Sequence, residues 1–189
     1  MRVVAIVGLP GSGKSAAAAV ARELDIPVIT MGDVIRDVCQ ERGLPITEET
    51  MGAVATDLRE KGGDAAIAER SLPLLNAHRE TEPVVLVDGI RGIAEVERFE
   101  EEFGDDFQLI SLDVPFATRV NRIQNRGRDP TAESIADLER RDQRELGYGL
   151  GEAIDVADVT IENTGELAVF EEQIRQLLLP EVDIPGDSE

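Results

Sequence analysis

The sequence predicts an α/β fold, a central parallel sheet of about five strands with helices on both faces. Three observations predict it. Short apolar runs rich in Val and Ile alternate with longer segments whose apolar residues recur at helical spacing. The first run leads directly into Gly8-Leu9-Pro10-Gly11-Ser12-Gly13-Lys14-Ser15, which fits G-x-x-x-x-G-K-[ST] at every defined position. Asp33 and Asp88 fall just past the ends of later runs, on the edge where parallel sheets bind ligands.

The elements follow in order. Val3–Val7 is a buried strand, and Ala16–Leu24 is rich in good helix formers. Pro27–Ile29 is a second short strand. Thr30-Met-Gly-Asp33 leads into a helix over Val34–Arg42, which Gly43 ends. After the connector Leu44–Ile46, Thr47 caps a helix reaching about Lys61, and Gly62-Gly63 breaks it. Asp64 is expected to cap the next helix, Ala65 to about Ala77, with Pro73 inside it. Pro83–Asp88 reads as a central strand covered on both faces. Ile93, Val96, Phe99 and Phe103 share a helical face. Gln108–Val114 is a strand, and Pro115 opens a helix with the stripe Phe116, Val120, Ile123. Gly127-Arg128-Asp129-Pro130 interrupts it. A charged helix over Thr131–Leu146 and a flexible break over Gly147–Gly151 follow. Ala157–Ile161 is the last strand. Glu166–Leu179 is the last helix, with Leu167, Phe170, Ile174 and Leu177 expected inward. Residues 1–179 read as one domain and 180–189 as a frayed acidic tail.

Composition excludes several classes. No apolar run approaches a membrane span and no leader pattern is present, so a cytoplasmic protein with no membrane partner is expected. Cys39 is the single cysteine; it sits at apolar helical spacing and reads as a core residue. The formal net charge of −20 argues against nucleic acid as the main partner. Two readings of that charge compete. One is an acidic interaction surface. The other, favoured by acids spread along the whole chain and by scarce lysine, is halophilic adaptation. Lysine occurs only at Lys14 and Lys61. His78, the single histidine, reads as a helix-end residue with no catalytic role.

The glycine loop carries chemistry. Its glycines let the backbone wrap an anion, and its N–H groups and the following helix N-terminus aim positive dipole at it. Lys14 is expected to reach the β- and γ-phosphates of ATP, and the Ser15 hydroxyl to ligate Mg²⁺. Asp88, ending Val84–Val87, is a second Mg²⁺ ligand on one reading and a helix N-cap on the other. Phosphoryl transfer needs positive charge around the moving group. Arg36, Arg91, Arg119, Arg122, Arg126 and Arg128 are the candidates. Arg119–Arg128 reads either as a lid over phosphates or as a solvated helix face.

These segments resemble the nucleotide-kinase branch of P-loop proteins, the adenylate-kinase-like and dephospho-CoA-kinase-like enzymes, and in particular an archaeal group of kinase-like ATPases. The resemblance runs from Val3 to about Leu179. It rests on Gly8–Ser15, Gly32-Asp33-Val-Ile-Arg36, Asp88-Gly89-Ile90-Arg91, Arg122–Arg128 and Ala157–Gly165. It implies a three-layer P-loop NTPase fold, with a helical acceptor-side insertion near residues 44–78 and a lid near 122–147. It implies that Arg36 and Arg91 hold acceptor phosphate, that Arg122 and Arg126 contact donor phosphates, and that Asn163 lies near the donor base. Asp33 resembles the acid that takes an acceptor hydroxyl proton. One departure is that Ile90 meets Arg91 directly, where adenylate kinases usually place Pro before the Arg. No Asn-Lys-x-Asp guanine motif occurs. The resemblance thus implies a kinase using Mg-ATP on a nucleotide, nucleoside or coenzyme-type acceptor. The alternative is a regulatory ATPase acting through a protein partner.

Overall fold

The computed structural model describes residues 1–126 and 135–179. The sheet contains β1 (Arg2–Val7), β2 (Val28–Thr30), β3 (Val84–Asp88), β4 (Phe107–Asp113) and β5 (Val159–Glu162). They lie in the order β2-β3-β1-β4-β5, and every pairing is parallel. Helices α1 (Lys14–Glu23), α2 (Met31–Glu41), α3 (Glu48–Gly62), α4 (Ala66–Ala77) and α5 (Ile93–Phe103) occupy the first half. Helices α6 (Phe116–Arg126), α7 (Ile135–Leu146), α8 (Leu150–Asp155) and α9 (Leu167–Leu178) complete the described chain.

The two-residue period of a strand divides the core. Val3, Ala5 and Val7 of β1 face one side, with Val85, Val87 and the apolar faces of α2, α3, α4, α5 and α8. Val4 and Ile6 face the other, with Leu86, Ile110 and the faces of α1 and α9. Full burial of each Val or Ile side chain contributes about 1.5–3 kcal/mol, so β1, buried along nearly its whole length, anchors both layers. Cys39 is completely buried in the first cluster, as its spacing predicts. Phe99 of α5 is completely buried and stacks on Phe107 of β4 with ring centres 5.9 Å apart.

The register aligns the strand ends that matter. Asp88 pairs with Ile6 of β1 and with Thr30 of β2, so the glycine loop, the start of α2 and the β3 end open on the same edge.

Several local expectations need correction. α2 begins at Met31, which puts Asp33 inside its first turn rather than ahead of it. The N-cap of α4 is Ala65 and not Asp64, and α4 runs on through Pro73. The Gly147–Gly151 break already contains the start of α8, because Leu150 and Ala153 bury against the first core cluster. Leu167 points outward at 59 % exposure, and Leu178 takes the inward place on α9. On α6 the buried side chain is Arg119, while Phe116, Val120 and Ile123 are only partly covered. Thr47 does cap α3, its Oγ1 accepting from the Thr50 N–H at 3.1 Å. Residues 127–134 of the lid expected near 122–147, with Arg128, lie outside the described residues, as do the Arg126 side chain and the acidic tail.

Candidate functional site

The glycine loop folds as a cradle between β1 and α1. Gly13, the N-cap of α1, has φ +115°, and a Cβ there would strike the Asn163 amide. Only glycine therefore allows the helix to start at this point with Asn163 packed against it. Lys14 turns its ammonium back over the loop and donates to the carbonyls of Gly8 and, at 3.3 Å, Leu9. Burial pulls the Lys14 pKa below its usual value, while the negative charges of Glu145 and Asp88 oppose that shift. Ser15 stands exposed one residue along, on the first turn of α1.

The loop is braced from outside. The Asn163 amide donates to the Ser12 carbonyl at 2.8 Å, and Arg122 donates to the Asn163 carbonyl and side-chain oxygens at 2.7 and 3.2 Å. Asn163 is only 4 % exposed. Asn163 thus packs beneath the loop, and Arg122 meets it there. Arg119 forms a two-pronged pair with Asp142 of α7, at 2.9 and 2.6 Å, and donates to the Pro10 carbonyl at 3.0 Å. Its charge is engaged in holding the loop to α7, so it is not the open phosphate-binding cation that its place in the cluster suggests.

Asp88 sits at the sheet edge beside Lys14. Its Oδ1 is buried without a hydrogen-bond partner, and burial raises its pKa against the charges of Lys14, Arg91 and Arg22. The N-cap of α5 is Gly92, so Asp88 does not cap that helix. An orphaned, buried carboxylate oxygen facing an ammonium is a group that awaits a cation or its water. Among the described residues no group of three or more His, Cys, Asp or Glu side chains could hold a metal ion. A divalent cation here would depend on Ser15, Asp88 and the phosphate oxygens it accompanies.

Beside the cradle opens a cleft of about 660 Å³. Its apolar wall is Met31, Ile35, Met51, Ala55 and Ile67, from α2, α3 and α4. Its polar wall is Arg59, Arg91, Glu95, Arg141, Arg144, Glu145 and Tyr148. Glu95 is buried and accepts from the Arg91 backbone N–H at 2.7 Å and from Arg59 at 3.1 Å; burial raises its pKa. Arg59 also lies over the Tyr148 ring, 5.1 Å from its centre. Gly92 admits that turn, because a Cβ there would run into the Tyr148 carbonyl. Arg91 reaches Glu145 at 2.7 Å, and Arg141 reaches the same oxygen at 3.3 Å.

Arg91 therefore lines the cleft as its place after Asp88 suggests. Asp33 and Arg36 do not: they pair with each other on α2 and lie outside the cleft lining. Sequence reasoning missed Arg59, Glu95, Asp142, Glu145 and Tyr148. Tyr148 is the single tyrosine, and Arg141 and Glu145 stand at helical i,i+4 spacing, but neither signal singles out a site.

A family model described as an AAA domain matches residues 7–139. A UPF0200 protein of Methanosarcina mazei is 49 % identical over 94 % of both chains. The chain belongs to the UPF0200 family. A UPF0200 protein of Halobacterium salinarum is 45 % identical over 99 % of each chain. A UPF0200/UPF0201 protein of Archaeoglobus fulgidus is 52 % identical, and the chain spans only 55 % of that relative's length. Among solved structures, TT1252 from Thermus thermophilus is similar with a TM-score of 0.64 at 20 % identity, over 94 % of this chain and 96 % of that one. A shikimate kinase from Acinetobacter baumannii is similar with a TM-score of 0.55 at 21 % identity, over 94 % and 92 %. At such identities the likeness concerns the fold alone, and that fold is P-loop and kinase-like. Among the described residues of this UPF0200 chain, no helix is long and apolar enough to cross a membrane.

Proposed function

We propose that this UPF0200 chain is an Mg-ATP-dependent kinase that transfers the γ-phosphoryl group of ATP to a small molecule of nucleotide, nucleoside or coenzyme type. The observation that carries the reading is a juxtaposition. The Lys14 amine and the orphaned Asp88 oxygen lie within electrostatic reach of Arg91, and Lys14 also of Glu145 and Arg141, three residues that line an arginine-rich cleft of about 660 Å³. In this reading the loop N–H groups and Lys14 hold the β- and γ-phosphates, and Ser15 and Asp88 hold Mg²⁺. The cation would neutralise charge on the phosphate oxygens. Arg91 and the cleft arginines orient the acceptor, and the apolar wall keeps water from competing with it. Arg122 and Asn163 support the donor side by fixing the Ser12 carbonyl. Arg126 is proposed to contact donor phosphates.

The charge of −20 and the Halobacterium relative support a protein adapted to molar salt, where the Debye length is about 3 Å. The test is ATP turnover in molar KCl with Mg²⁺ across an acceptor panel, with Lys14→Ala as control. The expected result is stoichiometric ADP release and phosphorylated acceptor. ATP hydrolysis that no acceptor changes, and that only a protein partner accelerates, would replace this reading with a regulatory ATPase.

A further inference from the structure

The cleft contains an internal anion. Glu145 is 4 % exposed, yet it sits on the polar wall between Arg91 and Arg141. A carboxylate is seldom buried so far unless arginines hold it. Arg91, by contrast, keeps 40 % of its side chain open to solvent and can change partner without being dug out of the core.

Resting on the kinase reading above, we propose that Glu145 fills the seat of the acceptor's own anion, so that the acceptor attacks through an oxygen that is already ionised. Three observations on the cleft support this. First, four arginines line it against two glutamates, a local positive surplus in a strongly acidic chain. Second, both of those glutamates are engaged by arginine, Glu95 by Arg59 and Glu145 by Arg91. Asp33, the acid suited to an alcohol acceptor, is paired with Arg36 and does not line the cleft. No lining carboxylate is thus placed to take a hydroxyl proton. Third, Glu145 is the charge that most strongly opposes the effect of burial on Lys14, ahead of Asp88. Its carboxylate therefore acts on the cradle lysine as well as on the arginines of the cleft.

The step balances without a base. An ionised acceptor oxygen forms a bond to the γ-phosphorus as the bond from that phosphorus to the bridging oxygen breaks. ADP leaves with the electron pair, and no proton has to be removed. A phosphate monoester or a carboxylate provides such an oxygen; an alcohol does not. When the acceptor's anion takes over Arg91, the Glu145 carboxylate gives up that arginine and keeps Arg141.

The test separates this from the kinase reading by measuring binding without turnover. The full chain is saturated with a non-hydrolysable ATP analogue and Mg²⁺ and titrated calorimetrically in molar KCl with AMP, with succinate and with adenosine. Glu145→Gln preserves the side-chain shape and removes the competing charge. It is expected to tighten an anionic probe about tenfold, the effect of relieving one charged competitor, and to leave adenosine unchanged. AMP rather than succinate responding identifies a phosphate acceptor, and the reverse a carboxylate whose product hydroxylamine traps. Arg91→Gln is expected to weaken the same probe at least tenfold. Equal shifts for AMP and adenosine, no shift in either anion, or phosphorylation of a neutral alcohol by the wild-type protein would overturn the proposal. Selective tightening with no phosphoryl transfer would leave the anion seat standing and remove the kinase.

Discussion

The phosphate cradle and the cleft beside it share a sheet edge but are built on opposite plans. The cradle is one continuous segment, Gly8–Ser15, whose shape follows from glycines at fixed spacing and from a strand and helix on either side. Its braces, Arg119–Asp142 and Asn163–Ser12, are buried and tightly paired. The cleft draws its residues from α2, α3, α4, α5, α7 and the turns after β3 and α7, and its Arg91 and Arg141 side chains stay partly open to solvent. A donor site must present the same phosphates in one geometry, which favours a rigid loop. An acceptor site, the role proposed above for the cleft, must open, select and release, which favours ion pairs that can exchange partners.

The comparison is broken most severely by attacking a brace. Asp142→Ala leaves Arg119 buried and unpaired, so it is expected to cost about 3–5 kcal/mol of stability by urea denaturation. Nucleotide affinity should fall with it, through the lost grip on Pro10. A loss under about 1 kcal/mol would mean the loop is not held from α7.

Lys14→Ala is expected to lower turnover of ATP by about 10²–10³-fold, the effect of removing one preorganised charge from a transition state. The fold should be intact by circular dichroism, because Lys14 bonds only to loop carbonyls.

Asp88 sharpens the comparison through pH. Burial raises its pKa, so the folded protein holds that proton more tightly than the unfolded chain. Its contribution to stability is therefore greatest at acid pH. It declines as pH rises from the ordinary carboxylate value through the raised one, and at neutral pH the charged group destabilises the unliganded fold. Asp88→Asn should raise the neutral-pH melting temperature by a few degrees while weakening the Mg²⁺ dependence of nucleotide binding. Mg²⁺-nucleotide affinity of the wild type should fall as pH drops through the raised Asp88 value. A melting temperature unchanged by Asp88→Asn would argue that the orphaned oxygen is satisfied elsewhere.

The smallest effect belongs to the cleft wall. Thr47→Ala removes the cap of α3 and should cost about 1 kcal/mol in a thermal melt. ATP binding should not change, because Thr47 lines the cleft and not the cradle. A change in ATP affinity of more than about twofold would show that the two halves are more tightly coupled than their construction implies.

Legibility in the sequence followed the range of the interactions. Strands β1 and β3 were readable because burial on both faces demands unbroken apolar runs. The Thr47 cap and the α5 stripe were readable because capping and helical periodicity are set by residues a few places apart. The Asp64 cap was misread because Ala65, not Asp64, takes the N-cap place of α4. α8 was hidden by three glycines within five residues, and it forms because Leu150 and Ala153 find a core to bury in.

The sequence by itself determined that the chain builds a parallel α/β sheet around a glycine loop with Lys14 and Ser15 at its mouth, because that motif is local and its geometry is fixed by backbone sterics. Tertiary structure alone decided which arginines are available. Arg119 and Arg122 look alike in sequence, yet one is locked to Asp142 and the other meets Asn163. Arg59, remote from every motif, reaches the same cleft as Arg91 through Glu95. Asp142, Asn163 and Glu95 lie 23, 41 and 36 residues from the arginines that they hold, beyond the reach of the i,i+3 and i,i+4 spacings that pair charges within one helix.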